Sequence, residues 1–332
     1  MTTRFAMLAG ISLALSVSLS PAHAAPVSIR CGVTITGSAV LTADLVCPAG
    51  HGLVVASGAA LDCAGHRVTG GRSAGQYGIY VRDGANAVVK NCVAEGFDVG
   101  IRVRSMREGV LEQNVAQDNV RYGIEITQGS TAMLIRNNQV LDNGDEGIHV
   151  SGPADVDAAH EILDNTIGGN ALEGIYLLGS HGNLIAGNTV RDHGAAGMYI
   201  KNSNRNTLDA NTLINDPIQL VYGSTQNVLT GNTIVGQQIR FKEASGNQVY
   251  GMTVRTEGGK PSVAYELMSS SRNAIVDSQV TAPSGYDIRA TSGSTGNVFT
   301  RFSVTSTLDC SIDTTSSVSV SNGLGAPLAC GK

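Results

Sequence analysis

The 332-residue sequence contains no tryptophan, and aromatic residues together make up only 4% of it. Positive charge is also scarce, because 22 lysines and arginines stand against 27 aspartates and glutamates, for a formal net charge of −5. No block of basic residues stands out, which disfavours a nucleic-acid partner. Beyond residue 24 we find no amphipathic helical pattern and no apolar run long enough to cross a membrane. What is abundant is glycine, with 41 residues, among recurring Asn, Thr, Val and Ile, a composition typical of an all-β repeat protein.

The first 24 residues have the layout of a secretory signal peptide. Arg4 precedes an apolar run over residues 5–19, and Pro21 breaks the chain before a small-x-small cleavage site at residues 22–24. The apolar run is short for a membrane anchor, so we expect cleavage after Ala24. The mature protein is therefore expected in the periplasm or outside the cell, as a monomer that is not attached to the membrane.

Six cysteines fit an oxidising compartment, and the absence of a Cys-x-x-Cys motif disfavours a metal site. Six cysteines allow fifteen pairings. Closeness in sequence and the phase of an internal repeat favour three of them: Cys31–Cys47, Cys63–Cys92 and Cys310–Cys330. The predicted role of these disulfides is structural, at both ends of the chain and between two early repeats.

An internal repeat begins with Gly-Ile-x-Val or a close variant. Its clear copies start at Gly78, Gly100, Gly123, Gly147, Gly174 and Gly197, with spacings of 22, 23, 24, 27 and 23 residues, and weaker copies lie near Ile218, Ile239, Tyr265 and Asp287. A second marker runs in phase, an asparagine before a short β run: Asn91, Asn114, Asn138, Asn165, Asn188, Asn211 and Asn232. Two independent markers with one period indicate stacked supersecondary units.

Each repeat carries two or three short β-branched runs separated by turn residues, as in residues 183–190. Three strands joined by turns fill one repeat, and successive coils stack at the parallel strand spacing of about 4.8 Å. The Ile and Val of each unit then point into one apolar core, and the repeated Asn forms an inward ladder. Leucine-rich repeats share the period but need a leucine-rich consensus. We predict an all-β, single-domain right-handed parallel β-helix of about ten coils with three short strands each.

The predicted layout has four parts. A signal peptide occupies residues 1–24, an N-terminal cap and the first coils with a disulfide occupy 25–71, the β-helix repeats occupy 72–305, and a C-terminal cap with a disulfide occupies 306–332. Caps are expected because one coil cannot bury its own apolar face, so the ends of the stack need cover.

The Gly-Ile-x-Val units with their trailing Gly-Asn-Thr-Val, and the opening stretch from Cys31 to His66, resemble the pectin-lyase-like superfamily of parallel β-helix proteins. The repeat is most similar to that of bacterial alginate C5-epimerases and of periplasmic copper-maturation proteins of the nitrous-oxide reductase system. The resemblance covers roughly Val27 to Thr305. It implies the β-helix fold and is weak for function, because the shared residues are those that build coils. The calcium-binding aspartates of pectate lyases and the aspartate cluster of polygalacturonases are missing.

The x residue of each unit is expected to point outward, because neighbouring residues on a strand face opposite sides. These residues form one column: Tyr80, Arg102, Glu125, His149, Tyr176, Tyr199, Gln219 and Arg240. A parallel outward column two residues on contains Arg82, Arg104, Thr127, Ser151, Leu178, Lys201, Val221 and Lys242. The positions just before the glycines hold Tyr77, Val99, Tyr122, Glu146, Glu173 and Ala196.

This set favours a polysaccharide lyase or C5-epimerase that acts on an acidic, uronate-containing polysaccharide. The reaction needs a cation to neutralise the substrate carboxylate, a base for the C5 proton and an acid. The catalytic candidates are Arg102 for the carboxylate, His149 as base, Tyr176 as acid and Tyr199 as the alternative acid. The substrate-binding candidates are Tyr80, Arg104, Glu125, Glu146, Glu173, Lys201, Gln219 and Arg240, with ring faces expected to stack on sugars.

Two other classes of function stay open. A glycoside hydrolase needs only a carboxylate pair, which Glu146 and Glu173 on successive coils supply. A non-catalytic β-helix, either glycan-binding or a periplasmic accessory protein, would need none of these residues for chemistry, since Tyr and Arg are ordinary on exposed strands. No cofactor is firmly indicated and no metal ligands are predicted, although the acidic residues 142–146 make calcium a candidate. His51, His66, His160 and His181 are interpreted as isolated surface or turn residues.

Overall fold

The computed structural model describes residues 29–127, 129–153, 156–256, 263–282, 285–305 and 307–329. These residues contain 38 β-strands, which form three parallel sheets that we call sheets A, B and C. Each strand pairs with the strand three places further along the chain, so the chain visits A, B and C in turn and then stacks on itself. The predicted all-β parallel β-helix with three strands per coil is confirmed.

Sheet A comprises Val33–Ile35, Leu53–Val55, Tyr77–Ala85, Val99–Arg107, Ile124–Thr127, Ile148–Ser151, Glu173–Leu178, Ala196–Lys201, Ile218–Val221, Ile239–Lys242, Val263–Met268, Tyr286–Thr291 and Cys310–Ile312. Sheet B comprises Ser38–Val40, Ala60–Asp62, Val88–Lys90, Val110–Glu112, Leu134–Arg136, Glu161–Leu163, Leu184–Ala186, Thr207–Asp209, Val228–Thr230, Gln248–Tyr250, Ala274–Val276, Asn297–Thr300 and Val318–Val320. Sheet C comprises Leu45–Cys47, Arg67–Gly70, Val93–Glu95, Val115–Gln117, Gln139–Leu141, Thr166–Gly168, Thr189–Arg191, Thr212–Ile214, Thr233–Val235, Thr253–Arg255, Gln279–Thr281 and Ser303–Val304.

The number of coils exceeds the prediction of about ten. Sheets A and B contain thirteen strands each and sheet C twelve, within the described residues. The additional coils lie at the two ends, where the Gly-Ile-x-Val marker is absent or altered; Leu53–Val55, for example, follows Gly52 with the sequence Leu-Val-Val. Backbone pairing and inward apolar residues are enough to add a coil, so the consensus underestimates the stack.

The register of sheet A produces the core. Ile101 pairs with Ile124 and Val103 with Ile126, and all four side chains are fully buried. Arg102 lies between Ile101 and Val103 on the same strand and faces outward, as the alternation of a strand requires. Because the same register continues from coil to coil, apolar side chains stack into one core along the axis.

The predicted asparagine ladder runs inside the turns that join sheets B and C. Each side-chain amide donates to the carbonyl oxygen of the next asparagine at 2.9–3.0 Å and to a backbone carbonyl of an earlier coil, from Asn114 through Asn138, Asn165, Asn188 and Asn211 to Asn232. These bonds pair polar groups that the buried turn would otherwise leave unsatisfied. Asn91 is an exception, since Cys92 takes the ladder position and donates its N–H to Asn114 at 3.1 Å.

Two further ladders were not predicted. One lies between sheets A and B and contains Asn183, Asn206, Asn227, Asn247, Asn273 and Asn297. His160 occupies the preceding position of this ladder, fully buried, and its Nδ1 accepts the Met133 N–H at 3.1 Å. His181, too, is buried, so the surface alternative is wrong for these two histidines; both lie in connections between strands of sheets A and B. A shorter ladder links Asn119, Asn143 and Asn170 and continues into the buried pair His193–Asp216.

Disulfides join Cys31 to Cys47 and Cys63 to Cys92, as predicted. The second connects successive coils and is fully buried. Cys310 is also disulfide-bonded, but its predicted partner Cys330 lies outside the described residues, as does the predicted signal peptide. In the part of the chain that the structure describes, no helix is long and apolar enough to span a membrane.

Candidate functional site

The predicted outward column exists as one continuous line of register partners on sheet A. It runs in the predicted order through Tyr80, Arg102, Glu125, His149, Tyr176, Tyr199, Gln219 and Arg240, and continues to Glu266 and Arg289. We call this line the sheet A column. At about 4.8 Å per coil, Tyr80 lies about 14 Å from the level of His149 and Arg240 about 19 Å on the other side. These two residues therefore do not share one centre with His149.

His149 has polar neighbours at both ring nitrogens. Its Nε2 lies 2.9 Å from Ser151 Oγ, and its Nδ1 lies 3.5 Å from Glu146 Oε1. Ser151 is reached because residues two apart on a strand face the same side, and Glu146 lies in the turn that enters the strand. The side chains of His149 and Glu146 are only 12% and 11% exposed, so their interaction is partly shielded from water.

Aromatic rings pack on both sides of His149. Tyr122 stacks on it at 4.7 Å between ring centroids with an interplanar angle of 28°, and Tyr176 lies at 5.1 Å. Tyr199 continues the row at 5.5 Å from Tyr176. The pairs His149–Tyr176 and Tyr176–Tyr199 are tilted by 53° and 33°, unlike the stacked pair Tyr122–His149. Stacking of Tyr176 and Tyr199 on sugar faces stays a prediction.

Burial keeps the hydroxyl groups of this row protonated. It is the main cause that raises the pKa of Tyr176 to about 12, with the neighbouring Tyr199 and Glu146 adding to the shift. Burial likewise raises the pKa values of Tyr122 and Tyr199. At neutral pH these hydroxyl groups can donate a proton or a hydrogen bond to a bound molecule.

Arg102 is engaged within the protein. Its Nη1 lies 2.9 Å from Glu125 Oε2 and donates to the Tyr77 hydroxyl at 3.0 Å, and its guanidinium group lies 4.7 Å from the centre of the Tyr77 ring. Burial raises the pKa of Glu125, and the charge of Arg102 opposes this shift. Arg104 is exposed and its Nη1 lies 3.5 Å from the Tyr80 hydroxyl, so it is the more accessible cation.

The charge of Glu146 acts on Glu173, which begins the next strand of sheet A. Burial raises the pKa of Glu173, and the nearby charge of Glu146 raises it further. Glu173 is thereby shifted toward the protonated, acid-donating form, whereas Glu146 faces His149. A carboxyl group with a raised pKa beside a second carboxyl group is a pattern found in acid–base sites.

Beyond Tyr199 the surface becomes cationic. Lys242 donates to the Tyr222 hydroxyl at 2.8 Å, and the ammonium groups of Lys201 and Lys242 lie 5.7 and 4.8 Å from the centre of the Tyr222 ring. Arg240 is paired with Glu266 at 2.6 Å. Among the described residues, no carboxylate lies at ion-pair distance from Lys201 or Lys242, so these are the accessible cations at this end.

His51 also belongs to this surface, although its place was not recognised from the sequence. Its ring stacks on Tyr77 at 4.7 Å and lies 5.4 Å from Tyr80, and burial followed by the charges of Arg82 and Arg102 lowers its pKa. The signal was present, because His51 precedes Gly52 as Tyr77 precedes Gly78. It was hidden by the altered consensus of that coil.

The calcium candidate, residues 142–146, does not gather its oxygen ligands. Asn143 points inward as a member of a ladder, and Glu146 faces His149. Across the described residues, no group of three His, Cys, Asp or Glu side chains is placed to hold a metal ion.

Solved structures with a similar fold include a DFA-IIIase from Arthrobacter chlorophenolicus A6 in complex with GF2, at 13% identity and a TM-score of 0.50, covering 80% of this chain and 70% of that one. The Dettilon tailspike protein gp208 matches at 16% identity and a TM-score of 0.51, covering 82% of this chain and 61% of that one. ORF18 of Geobacillus virus E2 matches at 15% identity and a TM-score of 0.52, covering 74% of this chain and 53% of that one. At these identities the similarity establishes the fold alone. No curated protein matches the chain.

The profile of one protein family, described as periplasmic copper-binding protein (NosD), matches residues 49–189 and again residues 161–321. The copper in that description can be tested against the side chains present. Copper(I) is bound by thiolate and thioether sulfur, and copper(II) commonly by imidazole. The described cysteines are all in disulfides, and Met106, Met133, Met198 and Met252 are buried in the core, which leaves Met268 as the one partly exposed thioether among the described residues. No histidine of the described residues belongs to a group of three His, Cys, Asp or Glu side chains placed to hold a metal ion, so these residues do not fit a copper site.

Membership of the family rests on coverage rather than on a metal site. The two matched segments together span residues 49–321, which is most of the sequence and nearly all of the solenoid. The periplasmic description agrees with the disulfides found in the structure. This chain is therefore an exported parallel β-helix protein that belongs to the NosD family.

Proposed function

We propose that this protein acts on an acidic polysaccharide at the sheet A column, as a lyase or C5-epimerase that removes the C5 proton of a uronate residue. The observation that carries the proposal is the setting of His149, which is held between two tyrosine rings and has a carboxylate near one nitrogen and a hydroxyl group near the other. A positioned imidazole beside protonated hydroxyl groups supplies the base and the acid that this reaction needs.

The proton transfers follow from the contacts. Glu146 near Nδ1 favours the tautomer with its proton on that nitrogen, which leaves the Nε2 lone pair free to act as the base. Substrate displaces the Ser151 hydroxyl from Nε2 and brings its C5–H bond to this atom. Tyr176, which keeps its proton because its pKa is about 12, donates to the leaving oxygen in elimination or to the opposite face of C5 in epimerisation.

The carboxylate of the reacting sugar requires a donor other than Arg102, because Arg102 is paired with Glu125. The protonated hydroxyl group of Tyr122, whose ring stacks on His149, takes this role, and Arg104 and Lys201 bind the carboxylates of neighbouring sugars. Both lie in the outward column of Ser151, two coils before and two coils after it, at about 10 Å on either side. A polymer with a carboxylate on every sugar can contact such cations while its reacting sugar lies at His149.

The test uses mature protein incubated with alginate, pectate, hyaluronan, chondroitin or glucuronan, in deuterated buffer, with and without calcium. Elimination gives an unsaturated uronate with strong ultraviolet absorbance, and epimerisation gives deuterium at C5 without it. We expect one of these signals on one polymer, lowered about 100-fold or more in His149→Ala. His66→Ala and Tyr250→Phe, which alter residues away from sheet A, are matched controls that keep the activity. Absence of both signals on every polymer would contradict the proposal, and binding without reaction would favour the non-catalytic alternative.

A second candidate function is glycoside hydrolysis. The specific observation in its favour is that burial and the charge of Glu146 raise the pKa of Glu173. Their positions on successive coils imply a separation near the strand spacing of about 4.8 Å, close to the roughly 5–5.5 Å between the carboxyl groups of retaining glycosidases. New reducing ends without the unsaturated product, lost in both Glu173→Gln and Glu146→Gln, would support hydrolysis instead.

A further inference from the structure

The contacts of His149 also have the order of a nucleophile, a base and an orienting carboxylate. Ser151 Oγ lies 2.9 Å from Nε2, and Glu146 Oε1 lies 3.5 Å from Nδ1. In serine hydrolases the nucleophilic hydroxyl group faces one imidazole nitrogen and a carboxylate faces the other, on many unrelated folds. We propose that Ser151, His149 and Glu146 form a hydrolytic triad that removes ester-linked acyl groups from a glycan bound along the sheet A column.

All three residues belong to one coil. His149 and Ser151 face outward from the strand Ile148–Ser151, and Glu146 precedes it by two residues. The pair is not a requirement of coil packing, because the same two strand positions hold Glu125 and Thr127 in the coil before and Tyr176 and Leu178 in the coil after. The arrangement is therefore particular to this coil, at the centre of the aromatic row.

The imidazole is held for this role by its surroundings. The rings of Tyr122 and Tyr176 pack against it on its two sides and restrict its rotation. Its Nδ1 is buried and has no hydrogen bond within the described residues, so a small movement of Glu146 is enough to close the 3.5 Å gap. Catalytic hydrogen bonds are often longer before substrate binds and shorten in the complex.

The reaction balances without an external cofactor. Ser151 Oγ attacks the carbonyl carbon of the ester while its proton passes to His149 Nε2. The bond between that carbon and the sugar oxygen breaks, and the leaving oxygen takes the proton from Nε2, which leaves an acyl group on Ser151. Water then attacks this acyl group with the same proton transfers, which releases the carboxylic acid and restores the Ser151 hydroxyl group. Glu146 stabilises the imidazolium formed in each step.

The neighbouring coil suggests the acyl group and a donor for the oxyanion. Leu178, the register partner of Ser151, is 37% exposed and offers an apolar contact to a short acyl chain such as acetyl. Tyr176, the partner of His149, keeps its hydroxyl proton and can donate it in a hydrogen bond to the developing oxyanion. The open face of a sheet accepts a polymer that carries such an ester as a side group.

A covalent probe tests the triad without knowledge of the polymer. Mature protein is treated with a fluorophosphonate, and the modified residue is located by peptide mass spectrometry. We expect one adduct on Ser151, absent in Ser151→Ala and formed about 100-fold or more slowly in His149→Ala. Ser311→Ala is the matched control. Ser311 lies on the same face, as the register partner of Arg289, and should not react, so this variant should keep the adduct on Ser151. No adduct on Ser151 in protein with an unchanged thermal unfolding curve overturns the proposal.

Release of acetate from acetylated uronate polymers provides the second measurement. Ser151→Ala should abolish it, and Glu146→Gln should lower kcat and change its pH profile, because the imidazolium loses its carboxylate. Elimination and C5 exchange do not use Ser151 as a nucleophile, so Ser151→Ala should change their rates far less than it changes acetate release, whereas His149→Ala loses both activities. The two proposals therefore fail separately: a labelled Ser151 with no C5 chemistry leaves only the esterase, and C5 chemistry with an unreactive Ser151 leaves only the lyase or epimerase.

Discussion

Inward and outward positions of the same coils follow one register, but the inward residues repeat from coil to coil whereas the outward residues vary. Six successive coils place an asparagine at the same inward turn, from Asn114 to Asn232. Over the same stretch the sheet A column holds an arginine, a glutamate, a histidine, two tyrosines and a glutamine. A buried turn has one good solution for its unpaired polar groups, so it is repeated, whereas an exposed position has no such restriction. Variation on a repetitive scaffold therefore marks where chemistry can be placed.

The largest expected effect comes from breaking a ladder. Asn165 accepts hydrogen bonds from Asn138 N and Nδ2 and donates to Ile135 O and Asn188 Oδ1. Asn165→Ala leaves these buried groups unpaired, so we expect a loss of about 3–5 kcal/mol in unfolding free energy. Urea denaturation measures it. Gln139→Ala, at an exposed strand position, is the control and should change the midpoint little. Equal losses of stability in the two variants would contradict the larger contribution of inward positions.

The second-largest expected effect is a loss of stability at acidic pH, caused by the buried His160. Burial lowers the pKa of His160 to about 4, whereas an unfolded chain protonates histidine near pH 6.5. Because the unfolded state binds the extra proton first, stability falls as the pH drops from about 6.5 to about 4, by roughly 3 kcal/mol in total. His160→Asn, which supplies the residue type of the ladder, should flatten this part of the profile. A profile that is unchanged in the variant would show that other groups cause the acid sensitivity.

An outward substitution should separate activity from stability. Tyr176→Phe keeps the ring packed against His149 and removes only the hydroxyl group. We expect turnover to fall about 100-fold, equivalent to about 2.7 kcal/mol, if Tyr176 is the acid, with a change in unfolding free energy of no more than about 0.5 kcal/mol. Both are measured on the same preparation. A large loss of stability with full activity would reverse the assignment of this residue.

The smallest effect is expected at an exposed ion pair. Arg301 and Asp277 form a bidentate contact, but their side chains are 48% and 51% exposed. Arg301→Ala should therefore change stability the least of these variants, and added salt should reduce the difference. Thermal unfolding at low and high ionic strength tests this. A larger, salt-independent loss would mean that outward pairs contribute to the fold as much as inward ladders.

The fold was predictable because its signals repeat. The Gly-Ile-x-Val period placed Ile101 and Ile124 in the core and Arg102 and Glu125 on the outer side of their strands, and the structure agrees, although neighbouring side chains bury most of Glu125. The end coils were undercounted, since a coil needs only apolar alternation and not the consensus. The position of His160 was missed because its environment is set by Asn183 in the next coil, which a local interpretation of a single histidine does not include.

The sequence by itself determined the solenoid, the inward ladder, two disulfide pairings and the order of the outward column, because each follows from a period or from closeness along the chain. Only the tertiary structure decided which side chains in that column are engaged and which are available. Arg102 is paired with Glu125, Tyr122 packs on His149, and burial shifts the pKa of Tyr176. These properties depend on distances between coils and on exclusion of water, which no single repeat encodes.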